Sequence, residues 1–129
     1  MELGRPMVTE KRILVVDDEP GFLQLIGDYF KAQGYAVDAA SNLEDAINFF
    51  KRRRHKVVLL DFNMPIVTGE RFLPILQNIE PTVRVIVITG YLQEEVEEKF
   101  KGLGYFAFFK KGDLLLEQLR AKVDEALVY

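Results

Sequence analysis

One stretch constrains this chain more than any other: Val57-Val58-Leu59-Leu60-Asp61-Phe62-Asn63-Met64-Pro65-Ile66-Val67-Thr68-Gly69. Four apolar residues run directly into one carboxylate. A run that short, apolar at every position and β-branched at its start, describes a strand covered on both faces, as in a parallel sheet between two layers of helices. Met64-Pro65 stops the strand, and Gly69 lies a few residues on. Asp61 therefore falls at the carboxyl end of a buried strand, the edge on which open α/β sheets carry their sites. A carboxylate there is costly unless something compensates it.

The remaining segments repeat the pattern. Met1 to Glu10 has no periodicity and is expected to be a flexible leader, with one domain over 11–129. Ile13 to Val16 is a second buried-strand run and ends in Asp17-Asp18-Glu19. Pro20 suits a first helical position, Phe22, Leu25, Ile26, Tyr29 and Phe30 recur at helical spacing, and Gly34 closes that helix. A short strand is expected at Tyr35 to Ala39. Ser41 or Asn42 can cap the next helix, whose apolar face is Ala46, Ile47, Phe49 and Phe50. Lys51 to Lys56 reads as a solvated, basic helix end, favourable at the C-terminal dipole, with His55 on the surface. A nucleic-acid patch is the lesser reading, because no aromatic residues interleave the cations.

Past the central strand, Glu70 to Ile79 is expected to be a helix with Phe72, Leu73, Ile75 and Leu76 inward and a bend at Pro74. Val83 to Ile88 is the next strand, followed by Thr89-Gly90. An acidic helix over Gln93 to Lys101, anchored by Val96 and Phe100, ends at Gly102 and Gly104. Tyr105 to Phe109 is the last strand, Lys110-Lys111-Gly112 follows, and Leu114 to Leu127 is a helix with Leu115, Leu119, Val123 and Leu127 along one stripe. Strand and helix alternate five times, which calls for an α/β fold: a five-stranded parallel sheet, doubly wound, with helices on both faces.

Composition narrows the chemistry. The 129 residues include no cysteine and one histidine, which excludes thiolate catalysis, a disulfide framework and a Cys-ligated zinc site, and disfavours a His-based one. The net charge of −3 gives no field for direct nucleic-acid binding. No apolar run approaches a membrane span and no signal-peptide core is present, so a cytoplasmic location is expected. What remains is the rim at the strand ends: Asp17, Asp18, Asp61, Thr89 and one lysine of the Lys110-Lys111 pair. Carboxylates sharing a cleft hold either a proton or a cation, and hard oxygen donors without thiolates suit Mg²⁺. With a lysine and a hydroxyl added, these are parts for phosphoryl transfer, with one carboxylate as nucleophile.

Taken together, Val15-Val16-Asp17-Asp18-Glu19, Leu59-Leu60-Asp61-Phe62-Asn63-Met64-Pro65 through Gly69, Ile86-Val87-Ile88-Thr89-Gly90 and the lysine resemble the receiver domain of two-component response regulators, the CheY-like superfamily. The resemblance runs from about Lys11 to Leu127, and the separations Asp18 to Asp61 and Asp61 to Thr89 are like the family's. It implies a flavodoxin-like three-layer sandwich. It further implies Asp61 as phosphoacceptor, Asp18 as a direct Mg²⁺ ligand, Asp17 acting through water, and the backbone carbonyl of Asn63 as a ligand. Thr89 and Phe108 are the implied switch pair. Lys111 rather than Lys110 matches the family's lysine, since it keeps Gly104 in register and puts Phe108 at the switch position. Gly112 departs from the family's Lys-Pro, and a Lys-Gly bond prefers trans by about 2.5–4 kcal/mol.

The implied donor is a sensor histidine kinase or a histidine phosphotransfer protein. The implied output is a homodimer or an effector protein bound through the face of the fourth helix, fifth strand and fifth helix, with no membrane and no enzymatic turnover. Two rival readings fit less of the sequence. A phosphorylation-independent pseudo-receiver rests only on Gly112. A Mg²⁺ aspartyl phosphatase would want a titrating residue where Asn63 stands.

Overall fold

The computed structural model describes residues 10–61, 69–90, 93–99 and 104–128. The expected alternation is present: β1 (Arg12–Val16), α1 (Pro20–Ala32), β2 (Ala36–Ala40), α2 (Leu43–Arg53), β3 (Val57–Leu60), α3 (Gly69–Ile79), β4 (Arg84–Thr89), α4 (Gln93–Lys99), β5 (Ala107–Lys110), a single 3₁₀ turn over Lys111–Asp113, and α5 (Leu116–Leu127). The five strands form one sheet in the order β2-β1-β3-β4-β5. Every neighbouring pair is parallel. Among the described residues no helix is long and apolar enough to cross a membrane.

The apolar runs of β1, β3 and β4 serve two cores at once, because successive side chains point to opposite faces. Leu14, Val16, Val58, Leu60, Val85 and Val87 face one side and meet Phe50 of α2, Phe72 and Leu76 of α3, and Val96 of α4. Ile13, Val15, Val57, Leu59, Ile86 and Ile88 face the other and meet Ile26 and Phe30 of α1 and Leu119 and Val123 of α5. Burying a side chain of this size contributes about 1.5–3 kcal/mol. This double burial is why the strands show no polar alternation.

Local chemistry sets the helix ends. Pro20 opens α1, and Gly34 (φ +94°) turns the chain out of it, with Gly34 N–H donating to Lys31 O at 3.0 Å and Tyr35 N–H to Phe30 O at 3.0 Å. Of the two candidate caps for α2, Asn42 takes the position: its side-chain oxygen accepts the Asp45 N–H at 2.8 Å. Arg54, at φ 49°, ends α2 in the left-handed region. Its guanidinium offsets that strain by donating to Lys51 O at 3.3 Å and Ile79 O at 3.2 Å.

Several details differ from expectation. β2, β4 and β5 each lie one or two residues later in the chain than their apolar runs suggest. α3 is continuous through Pro74. Ile75 is 38% exposed and Leu115 is 58% exposed. Ile75 lies on the flank of the stripe formed by Phe72, Leu73 and Leu76, and Leu115 is the capping residue before α5, outside its stripe. Leu127 is half-buried, and Ala126 takes the covered position beside it. The largest difference is His55, which is buried rather than on the surface. Its Nε2 lies 2.7 Å from Asp38 Oδ2, and its ring stacks on Phe50. Residues 1–9 and 100–103, and with them most of the expected leader, Phe100 and Gly102, lie outside the described residues.

Candidate functional site

The carboxyl edge of the sheet is assembled from strand ends held by backbone hydrogen bonds. Asp17 N–H donates to Ala40 O at 3.1 Å, which carries the β1–β2 ladder one residue past the strand. Asp61 N–H donates to Val16 O at 2.9 Å and does the same for β1 and β3. The first carboxylates after β1 and β3 are thereby set side by side above a dry core. Asp17 and Asp61 are buried and Asp18 is exposed, and one oxygen of each lies within 4.8 Å of the others.

Lys111 is the cation of this site. It opens the 3₁₀ turn after β5, and its Nζ is 2.8 Å from Asp17 Oδ2 and 3.6 Å from Asp61 Oδ2. The same nitrogen pairs with Glu19 and lies 4.5 Å from the Phe22 ring centroid. Lys110 ends β5 opposite Thr89 and is exposed. Of the two lysines, only Lys111 joins the carboxylates, since neighbouring side chains leave the strand end in different directions.

The electrostatics follow from burial and proximity. Burial, the largest influence, pushes the Asp17 carboxyl above its ordinary range, and the Asp61 charge adds to this. Lys111 and the Glu19 N–H, which donates to Asp17 Oδ1 at 2.8 Å, work against it. Burial alone would lower the Lys111 ammonium, but Asp17, Glu19 and Asp61 outweigh it and raise it well above the ordinary lysine value. Lys111 therefore stays charged, and the carboxylates remain undercompensated.

A hard cation fits this set. Asp17 Oδ2 is buried and receives no well-aligned hydrogen bond from the described residues, although Lys111 Nζ stands close as an ion-pair partner. Three convergent carboxylates with a spare buried lone pair make an oxygen-only donor set of the kind Mg²⁺ takes. Among the described residues this is the only such group of acidic or His side chains. Asn63 lies outside the described residues, so the expected carbonyl ligand has no described position.

Thr89 ends β4 fully buried. Phe108, beside Val87 in the sheet, is half-buried against the core shared by α2, α3 and α4. The structure thus brings together Asp17, Asp18, Asp61 and Lys111 and places Thr89 on the adjacent strand end. Glu19 has no role that its place in the motif announces, and its contact with Lys111 links the start of α1 to the turn after β5.

The family model described as the response regulator receiver domain matches residues 13–124. Sporulation initiation phosphotransferase F of Bacillus subtilis is 33% identical over 105 residues, covering 81% of this chain and 84% of that protein. Regulatory protein AtoC of Escherichia coli is 31% identical over 121 residues, covering 94% of this chain but 26% of its own length, so the chain spans about a quarter of that longer relative. Among solved structures, a response regulator receiver domain protein from Clostridium thermocellum superposes with a TM-score of 0.82 at 27% identity, covering 90% of this chain and 93% of that one.

Proposed function

This chain belongs to the response regulator receiver family, a family of signalling domains, and on that footing we propose that Asp61 accepts a phosphoryl group in a two-component phosphorelay. One observation carries the reading: the buried Asp61 carboxylate shares its space with Asp17, Asp18 and the Lys111 ammonium. A sensor histidine kinase or a histidine phosphotransfer protein presents the donor phosphohistidine. An Asp61 carboxylate oxygen attacks phosphorus in line and forms an acyl phosphate. The P–N bond of the donor breaks and its electron pair stays on that ring nitrogen; the imidazole leaves neutral because its other ring nitrogen carries a proton.

Asp17, Asp18 and Asp61, with the backbone carbonyl of Asn63, would hold Mg²⁺, which when bound supplies positive charge beside the phosphoryl oxygens. Lys111 supplies a second positive centre, already drawn to Asp61. Thr89 offers its hydroxyl to the acyl phosphate, and Phe108 moves with it to alter the face of α4, β5 and α5. A second copy or an effector protein reads that face. The reaction consumes its own nucleophile, so the chain acts as a signalling acceptor rather than a turnover enzyme, and its proposed location is the cytoplasm.

The test is mass spectrometry of the chain after incubation with acetyl phosphate and Mg²⁺. A gain of one phosphate is expected in the native chain and not in Asp61→Asn. A gain that persists in Asp61→Asn rules this acceptor out.

A further inference from the structure

The edge of the sheet opposite Asp61 carries the reverse charge. Lys11 and Arg12 lead into β1, and the end of α2 and the turn into β3 supply Arg52, Arg53, Arg54 and Lys56. The two segments are far apart in sequence, and the parallel register that pairs Ile13 with Val57 brings them together. The six cations line one open cleft of about 780 Å³. The acidic groups on or beneath its wall are Glu10, Asp124 and Asp38. The cleft is therefore positive on a chain whose net charge is −3.

Part of this charge is engaged. Arg12 pairs with Glu10 and Asp38, Arg53 with Asp38, Arg54 with Glu80, and Lys11 with Asp124. Among the described residues, Arg52 and Lys56 have no ion-pair partner. His55 forms part of the wall although it is 2% exposed, and its Nδ1 has no hydrogen-bond partner among the described residues. A solvated helix end requires neither a cleft nor cations recruited from a second strand.

We propose that this cleft binds an organic phosphate of nucleotide size. Arginine forks match phosphate oxygens in pairs, and Lys56 adds a point charge. Leu127 and the 70% exposed Val128 give the cleft an apolar wall for the organic part of the ligand. The volume lies within the range of small-molecule sites, roughly 300–1,000 Å³. An extended duplex fits poorly, because Glu10, Asp124 and the negative field of the whole chain oppose a long polyanion. The cleft is at the far edge of the sheet from Asp61, so this site stands or falls independently of phosphorylation there.

The chain's single histidine is a resolved reporter in the cleft wall. The full chain is titrated with adenosine 5′-triphosphate in Mg²⁺-free buffer, following the His55 ring and the backbone amides by NMR. Saturable shifts at submillimolar ligand are expected, confined to His55, the ends of β1 and α2, and Val128. Inorganic tripolyphosphate should shift the same amides more weakly, and adenosine should not. Arg52→Gln combined with Lys56→Gln should raise Kd about tenfold or more, equivalent to about 1.4 kcal/mol. Lys51→Gln removes one exposed charge outside the cleft wall and should leave Kd unchanged. The proposal is overturned by shifts that never saturate, by shifts spread over the surface, or by equal weakening in Lys51→Gln. Tighter binding of a DNA duplex than of the nucleotide would also overturn it.

Discussion

At the scale of single residues, the acidic rim and the basic edge were not equally legible. Asp17, Asp18 and Asp61 could be read because each follows a recognisable strand, and strand ends in a parallel sheet share an edge, whereas the choice of Lys111 over Lys110 needed the family's register. His55 could not be read in this way. It sits in a run of cations, and nothing local announces that Asp38, on the far side of β1, will reach it. The lysine choice leads to a prediction. Lys111 faces Asp17 and Asp61, whereas Lys110 is exposed, so Lys111→Ala should slow acetyl phosphate labelling of Asp61 by about tenfold or more, the equivalent of about 1.4 kcal/mol. Lys110→Ala should label like the native chain. Labelling rates followed by intact mass would distinguish them, and the opposite ranking would assign the work to Lys110.

At the scale of elements, the order and type of the described strands and α-helices were legible, while their edges and the 3₁₀ turn over Lys111–Asp113 were not. Apolar runs mark where a strand is buried, while the ladder continues or stops according to hydrogen bonds with its neighbour, which the run does not contain. Ile75 and Leu115 show the same limit in helices: an apolar residue near a stripe is covered only if its angle on the helix matches. The sequence allows either Ser41 or Asn42 as the cap of α2. Asn42 accepts the Asp45 amide and also meets the Asp45 carboxylate at 3.1 Å. Asn42→Ala should therefore cost about 0.5–2 kcal/mol in urea unfolding. Ser41→Ala should cost nothing measurable, and a larger loss from Ser41 would move the cap.

At the scale of the whole molecule, folding stability should depend on the one buried imidazole. Burial foremost pushes His55 below its ordinary 6.5, with Arg12 and Arg53 in the same direction and Asp38 opposing. A proton added to Nδ1 would also meet no acceptor among the described residues. The folded chain thus binds this proton less readily than the unfolded one. The stabilisation is complete above about pH 6.5 and is lost as pH falls from there through the folded value. Asp38 makes a later contribution. Although burial opposes it, contact with His55 and Arg12 holds its carboxyl below the ordinary 3.8, so its share is lost only as pH falls below that. Melting temperatures between pH 8 and pH 5 should fall for the native chain and fall less for His55→Gln, which can still donate to Asp38. Parallel curves for the two proteins would show that His55 does not titrate on unfolding.

The sheet order β2-β1-β3-β4-β5, parallel throughout, also bears on how the chain acquires its shape. No neighbouring pair can zip from a tight turn, and each must wait for a helix to be passed. β1 needs partners on both sides, and the second, β3, arrives only after α1, β2 and α2. Closing that span loses chain entropy before the pairing repays it, which puts the barrier in non-local contacts. During synthesis from the amino end, Ile13 to Val16 has β2 on one flank and a bare apolar edge on the other until Val57 to Leu60 leaves the ribosome. The nascent chain is most exposed to mispairing in that interval, and the run that brings Asp61 into place is also the one that closes it.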